Sequence, residues 1–216
     1  MHRQEPVLVG KGITVRLAKF KDDPEIIRYF RENEQHLGEF EKQKPADFYS
    51  EEFWRRQIEL QYEEYQSDRS CKMFLFDNKD DVRILGVANL FGIIRGAFHA
   101  CYLGYSVSKR WQGQGVMIEA LLLVTEFAFK EMNLHRIMAN YMPENERSGH
   151  LLERLGFVKE GEAKDYLYIN GRWRDHVLTS LTNPDWVLPE ELIPEADAGA
   201  ETQTASEDGA VDLPSL

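Results

Sequence analysis

The chain has only two cysteines in 216 residues, Cys71 and Cys101, with neither metal-type spacing nor a second pair. That argues against a disulfide framework and a zinc site, and fits two buried thiols in a reducing compartment. No apolar run is long enough to span a bilayer, and the opening MHRQEPVLVGKG lacks the apolar core of a signal peptide. The expected location is the cytoplasm, with no membrane partner. Lys and Arg are missing from Val187 to Leu216, where eight acidic residues stand among Ala, Gly, Ser, Thr and Pro. Such composition cannot bury a core, so 187–216 is expected to be an acidic, disordered tail behind a single domain, 1–186. Removing those eight charges from the formal net of -11 leaves -3 for residues 1–186. A mildly acidic domain is a poor partner for nucleic acid.

What is present reads as one α/β domain, with 43% hydrophobic and 29% charged residues. GITVRLA (12–18) alternates as a strand. DDPEIIRYFREN (22–33) opens with Asp and an early Pro and sets Ile26, Ile27, Tyr29 and Phe30 on one helical face. A second helix is expected over 47–67, with Phe53, Trp54, Ile58 and Leu60 among its apolar positions. KMFLFD, RILGVANLFGII and HACYLGYSVS form a three-strand meander, and residues 116–131, apolar nearly all round, a helix buried on a sheet. HRIMANYM is a further strand, ENERSGHLLERL a short helix closed by Gly156, and the rest a hairpin across Asn170-Gly171. In 31–64 ten acidic residues outnumber five basic ones, as solvated helix faces or as a recognition surface.

Between the third strand of the meander and the apolar helix stands RWQGQGV (110–116). A glycine loop that turns a strand into a helix leaves backbone N–H groups unpaired at the positive end of the helix dipole, where phosphate binds. Gly113 and Gly115 permit positive φ and close approach. The loop is no P-loop, lacking Gly-Lys-Ser/Thr, and no dinucleotide fingerprint, because Ile118 replaces the third small residue. By itself the spacing serves either an anion site or merely a tight connection.

Arg110-Trp-Gln-Gly113-Gln-Gly115 resembles the Arg/Gln-x-x-Gly-x-Gly/Ala signature of the GNAT family of N-acetyltransferases. PENERSGHLLERLGF (143–157) is similar to that family's Asn-x-x-Ser…Leu-Gly-Phe segment, and FHACYLGYSV, HRIMANYMP and KDYLYINGRWRDHVLT are similar to its ribosomal-protein branch. The resemblance implies a mixed, mostly antiparallel central sheet flanked by helices and splayed at an acetyl-CoA slot. It implies that acetyl-CoA is held by Arg110, Gln112, Gly113, Gln114, Gly115, Val116 and Met117, with Asn145 and Ser148 on the short helix. It places a β-bulge in Gly104–Val107, making the N–H of Ser106 or Val107 the donor to the developing oxyanion. Ser148 is aligned with the family's leaving-group acid and Glu160 with its general base, while capping alone explains Asn145. His99, Tyr141, Tyr166 and Asp175 are further polar residues on nearby segments.

The implied activity is transfer of acetyl to the N-terminal α-amine of a ribosomal protein. Two other readings stay open: the same fold acetylating a polyamine or antibiotic amine, or an acetyl-CoA-binding ribosome-assembly or regulatory factor. No metal is expected.

Overall fold

The computed structural model describes residues 3–41, 43–189 and Leu192. The chain divides into two compact units, Met1–Trp186 and Val187–Leu216, and every strand and helix named below belongs to the first. Most of the expected acidic tail lies outside the described residues.

Eight strands form one sheet: β1 (Val7–Val9), β2 (Ile13–Leu17), β3 (Ser70–Asp77), β4 (Asp80–Ile94), β5 (Ala100–Val107), β6 (Arg136–Met138), β7 (Val158–Ile169) and β8 (Arg172–Thr182). Their order is β1-β2-β3-β4-β5-β6-β8-β7. Among the described residues only the β5–β6 pairing is parallel. The helices are α1 (Asp23–Glu32), α2 (Glu34–Leu37), α3 (Glu51–Gln66), α4 (Val116–Lys130) and α5 (Glu146–Arg154). Among the described residues no helix is long and apolar enough to cross a membrane.

Strand β3 shows why the sheet is covered on both faces. Its residues alternate between two cores: Cys71, Met73 and Leu75 join the cluster under α4, while Phe74 and Phe76 join the cluster under α1 and α3. A strand buried on both sides reads as a continuous apolar run, as KMFLFD does. The face of α4 formed by Met117, Ala120, Leu121, Val124, Phe127 and Ala128 is buried. On α1, Ile26, Ile27, Tyr29 and Phe30 are all buried, as their spacing predicts.

Helix α3 begins later than expected, where Ser50 accepts a hydrogen bond from Phe53 N–H and supplies an acceptor to the first turn. Trp54, Ile58, Gln61 and Tyr65 face inward, and Leu60 is left 40% exposed. Two short elements, β1 and α2, carry too little periodicity to be read from sequence. The final hairpin turns at Asn170 and Gly171, both with positive φ, as a tight turn matched to strand twist requires.

Candidate active site

The site begins where one ladder stops. β5 pairs with β6 only from Ala100 to Tyr102, against Arg136–Met138. Beyond that point the neighbour turns away: Ala139 N–H bonds to Thr179 carbonyl at 3.0 Å and Tyr141 N–H to Val177 carbonyl at 3.1 Å, both on β8. Residues 103–107 of β5 therefore have a free edge, and a cleft of 1330 Å³ opens beside it. On the other edge Ser108 N–H donates to Leu85 carbonyl at 2.8 Å. Alternation in an antiparallel ladder then turns the Ser106 N–H toward β4 and the N–H groups of Leu103, Tyr105 and Val107 toward the cleft. Of the two N–H groups expected as oxyanion donors, that of Val107 faces the cleft and that of Ser106 does not.

The bulge expected in Gly104–Val107 is not there. β4 and β5 stay in register from Gly86↔Val107 to Phe91↔Tyr102, and the irregularity falls between Phe91 and Ile94. The splay arises instead because β6 is only three residues long.

At the head of the cleft the glycine loop behaves as the sequence suggests. Gly113 has φ 71° and Gly115 φ 81°, a region that L side chains disfavour. Apart from its chain neighbours, no protein atom lies within 4 Å of a Cβ built on either one, so backbone conformation and not crowding demands glycine. Glu119 N–H makes the first bond into α4, to Gly115 carbonyl, leaving the amides of Val116, Met117 and Ile118 without intrahelical acceptors. These amides and the helix dipole make an anion cradle that fits a pyrophosphate. Gln112 fixes the loop laterally: Arg147 Nη1 donates to its Oε1 at 2.7 Å, and its Nε2 meets His36 Nε2 at 2.7 Å. Burial and the cations Lys109 and Arg147 hold His36 below the usual histidine range. Arg110 and Gln114 are not on the cleft wall; Gln114 Nε2 caps the Arg110 carbonyl at 2.7 Å.

Across the cleft, Asn145 caps α5 by accepting from Ser148 N–H at 3.2 Å. The Ser148 hydroxyl meets the Tyr105 hydroxyl at 2.7 Å. Burial pushes the Tyr105 phenol up to about 12, an effect the Ser148 hydrogen bond partly offsets, so Tyr105 keeps its proton at neutral pH. Gly149 is required for another reason: a Cβ there would come within 2.8 Å of the Tyr141 hydroxyl, which lies across the helix. On the opposite side of β5, the Tyr29 hydroxyl bonds to Ser106 Oγ at 3.0 Å.

Glu160 does not stand where its expected role requires. Outside the cleft wall, it is ion-paired with Arg136 and accepts from Ser180 Oγ at 2.9 Å. Arg136 foremost, then Ser180, hold its carboxyl below the usual range, the reverse of what a base needs. It sits on β7, separated from the free edge by β8. His99 is buried at the far end of β5, with Nδ1 2.5 Å from Gly96 carbonyl, and Asp175 is tied up with Lys164. Tyr141 and Tyr166 do line the cleft. So do residues the sequence did not single out: His36, Glu39, Glu41, Tyr102, Asn140 and His176. Of these, Glu39 and Glu41 were signalled by the acidic bias of 31–64; the others carried no local signal.

A splayed mixed sheet with a glycine loop that turns into a helix at the head of the cleft is the architecture of acyl-CoA-dependent acetyltransferases. Residues 13–158 match the Acetyltransferase (GNAT) domain, and the chain belongs to that family of N-acetyltransferases. It is 46% identical over 179 residues to ribosomal protein uS5-alanine N-acetyltransferase of Escherichia coli, covering 83% of this chain and 92% of that one. The solved structure of a ribosomal-protein-S5-alanine acetyltransferase from Vibrio fischeri superposes with TM-score 0.81 at 39% identity, covering 85% of this chain and all of the other. A second, Mycobacterium smegmatis RimJ in complex with CoA-disulfide, has TM-score 0.74 at 26% identity, covering 89% of this chain and 88% of the other.

Proposed function

We propose that this acetyltransferase moves acetyl from acetyl-CoA to the N-terminal α-amine of a ribosomal protein. The observation that carries the chemistry is the free edge of β5, with the Gly113–Ile118 amides at its head and the Ser148 hydroxyl facing it. The acceptor class rests on the 46% identity to the uS5-alanine enzyme over nearly all of its length.

The bound thioester supplies an activated acetyl group. The chain's own residues do the rest. The loop amides, with Gln112 and Arg147 behind them, anchor the pyrophosphate. The cleft-facing N–H groups of β5 hold the slender part of the cofactor as a strand would, and the Val107 N–H is a donor for charge growing on the acetyl oxygen. As the amine nitrogen bonds to the acetyl carbon, the carbon–sulfur bond breaks and the sulfur takes the Ser148 proton. Tyr105, 2.7 Å behind, relays a proton from water to Ser148, so both hydroxyls end protonated and the proton the amine sheds on becoming an amide balances the one the sulfur takes. A peptide α-amine has a pKa of about 8, so roughly a tenth is already neutral at pH 7. The proton that the nitrogen sheds can pass to water, and Glu160 is not needed.

The acids Glu39 and Glu41 on the wall also suit a small cationic amine, the basis of a second reading in which a polyamine is the acceptor. Intact-mass measurement of ribosomal proteins from cells with and without this protein decides. One ribosomal protein lighter by one acetyl group in its absence supports the proposal. An unchanged set of masses, with purified protein acetylating spermidine in preference to every peptide, overturns it.

A further inference from the structure

The end of the cleft away from the glycine loop contains a feature that the reaction itself does not require. In β7, Ala163 pairs with His176 and the next pair is Leu167 with Arg174, so residues 164–166 stand against Asp175 alone. A bulge of that kind bends the strand and re-aims a side chain. This one is deliberately held. Asp175 takes the Lys164 ammonium at 2.7 Å on one oxygen and the Asp165 N–H at 3.0 Å on the other, and Asp165 adopts φ 48°. The outcome is that Tyr166 points into the cleft.

There Tyr166 is locked. Asn140 Nδ2 donates to its hydroxyl at 3.1 Å, and Asn140 Oδ1 in turn accepts from Thr179 N–H at 3.4 Å. The hydroxyl also lies close to the Tyr102 phenol, and the ring lies 5.4 Å from that of His176. Tyr102 is three residues along β5 from Tyr105, which marks the reacting end through Ser148. Side chains alternate along a strand, so Tyr102, like Ser106, projects from the face of β5 opposite Tyr105 and Ser148, and the wall closes the cleft on that opposite face.

We propose that Tyr166, aimed by the Asp175-held bulge and braced by Tyr102 and Asn140, is the end wall that limits the acceptor's first residue to a small side chain. This rests on the N-terminal acetylation reading above. An amine bonded to the acetyl carbon carries its own Cβ about 2.5 Å further on, and a leucine side chain reaches about twice as far. Alanine or serine fits short of the rings; leucine or methionine meets them. Tyr166 does not touch the reacting atoms, so its role is specificity and not chemistry.

The test uses the full-length protein, acetyl-CoA and peptides identical except for Ala, Ser or Leu at the first position. Wild type should favour Ala and Ser over Leu in kcat/KM. Tyr166→Ala should shrink that preference by about tenfold or more, mainly by raising the Leu rate, with the KM for acetyl-CoA unchanged. Tyr166→Phe keeps the ring and should keep the preference. Asp175→Ala frees the bulge without touching the wall and should shrink the preference less, which keeps the test open if Tyr166→Ala does not fold. An Ala preference undiminished in folded Tyr166→Ala, or in Asp175→Ala should that be the only folded variant, overturns the wall while leaving N-terminal acetylation intact. Wild type that acetylates none of the peptides overturns both.

Discussion

The two ends of the cleft are built on different principles. The end proposed for the cofactor is lined by one local stretch around residues 111–118, whose main-chain N–H groups take their direction from two left-handed glycines and a helix start. The acceptor end is made by side chains from the loop after α2, from β5, from the segment after β6, and from β7 and β8. A backbone site is portable and nearly independent of its neighbours, whereas a side-chain site is only as good as the strands that hold it. The contrast teaches that damage to the first should be local and severe, and damage to the second graded.

The sharpest break is Gly113→Asp. It forces a side chain to φ 71° and puts a negative charge where phosphate should bind, so acetyl-CoA affinity should fall at least about tenfold while the fold persists. Calorimetry on the folded variant checks it, and normal affinity would remove the loop from cofactor binding. Next is Ser148→Ala, which removes the hydroxyl between Tyr105 and the cleft. Turnover at saturating substrates should drop about a hundredfold, with acetyl-CoA affinity nearly unchanged, since a placed acid contributes about that much. Wild-type turnover with chemistry shown to be rate-limiting would leave the proton to another group.

Asn145→Ala tests the scaffold beneath Ser148. Loss of the cap to Ser148 N–H should cost about 1 kcal/mol, seen as a lower melting temperature, with a smaller loss of turnover than Ser148→Ala. A turnover loss equal to that of Ser148→Ala would mean Asn145 acts in the chemistry directly.

The joint between the two ends is His36, which meets Gln112 at 2.7 Å and lines the cleft near the Val107 backbone. Its pKa is lower folded than unfolded, so below about 6.5 the unfolded chain binds the proton more readily. Its stabilising contribution is thus present above about pH 6.5 and lost as pH falls. Replacing it, as His36→Gln, should flatten the fall in melting temperature between pH 7 and pH 5.5 by a small amount, and identical slopes would place the acid sensitivity elsewhere. Smallest of all should be Glu160→Gln: kcat within about twofold of wild type across pH 6–8, with any loss confined to stability. A loss comparable to that of a general base, about a hundredfold or more, would restore Glu160 to the mechanism.

This difference between the ends also explains how much could be read before the structure was known. The strand-loop-helix unit was legible because its cause is local: an alternating run, glycines at the turn, and an apolar helix follow one another in sequence. So were the inward face of α1, the Asn145 cap and the Asn170-Gly171 turn. Glu160 was misplaced because its position in a motif does not say which strands lie between it and the free edge. The splay was expected, but attributed to a bulge in β5. In the structure it follows from where the β5–β6 pairing stops at Met138 while the chain beyond, from Ala139, goes on bonding β8.

By itself, then, the sequence determined the longer elements, the glycine turn into α4 and the family, because each depends on residues within a few positions of one another. Only tertiary structure decided which N–H groups face the cleft, that Arg136 neutralises Glu160, and that Tyr166 meets Asn140 and Tyr102. Those outcomes depend on ladder register and strand order, which bring together residues as far apart as 102 and 166. No local propensity encodes such a meeting.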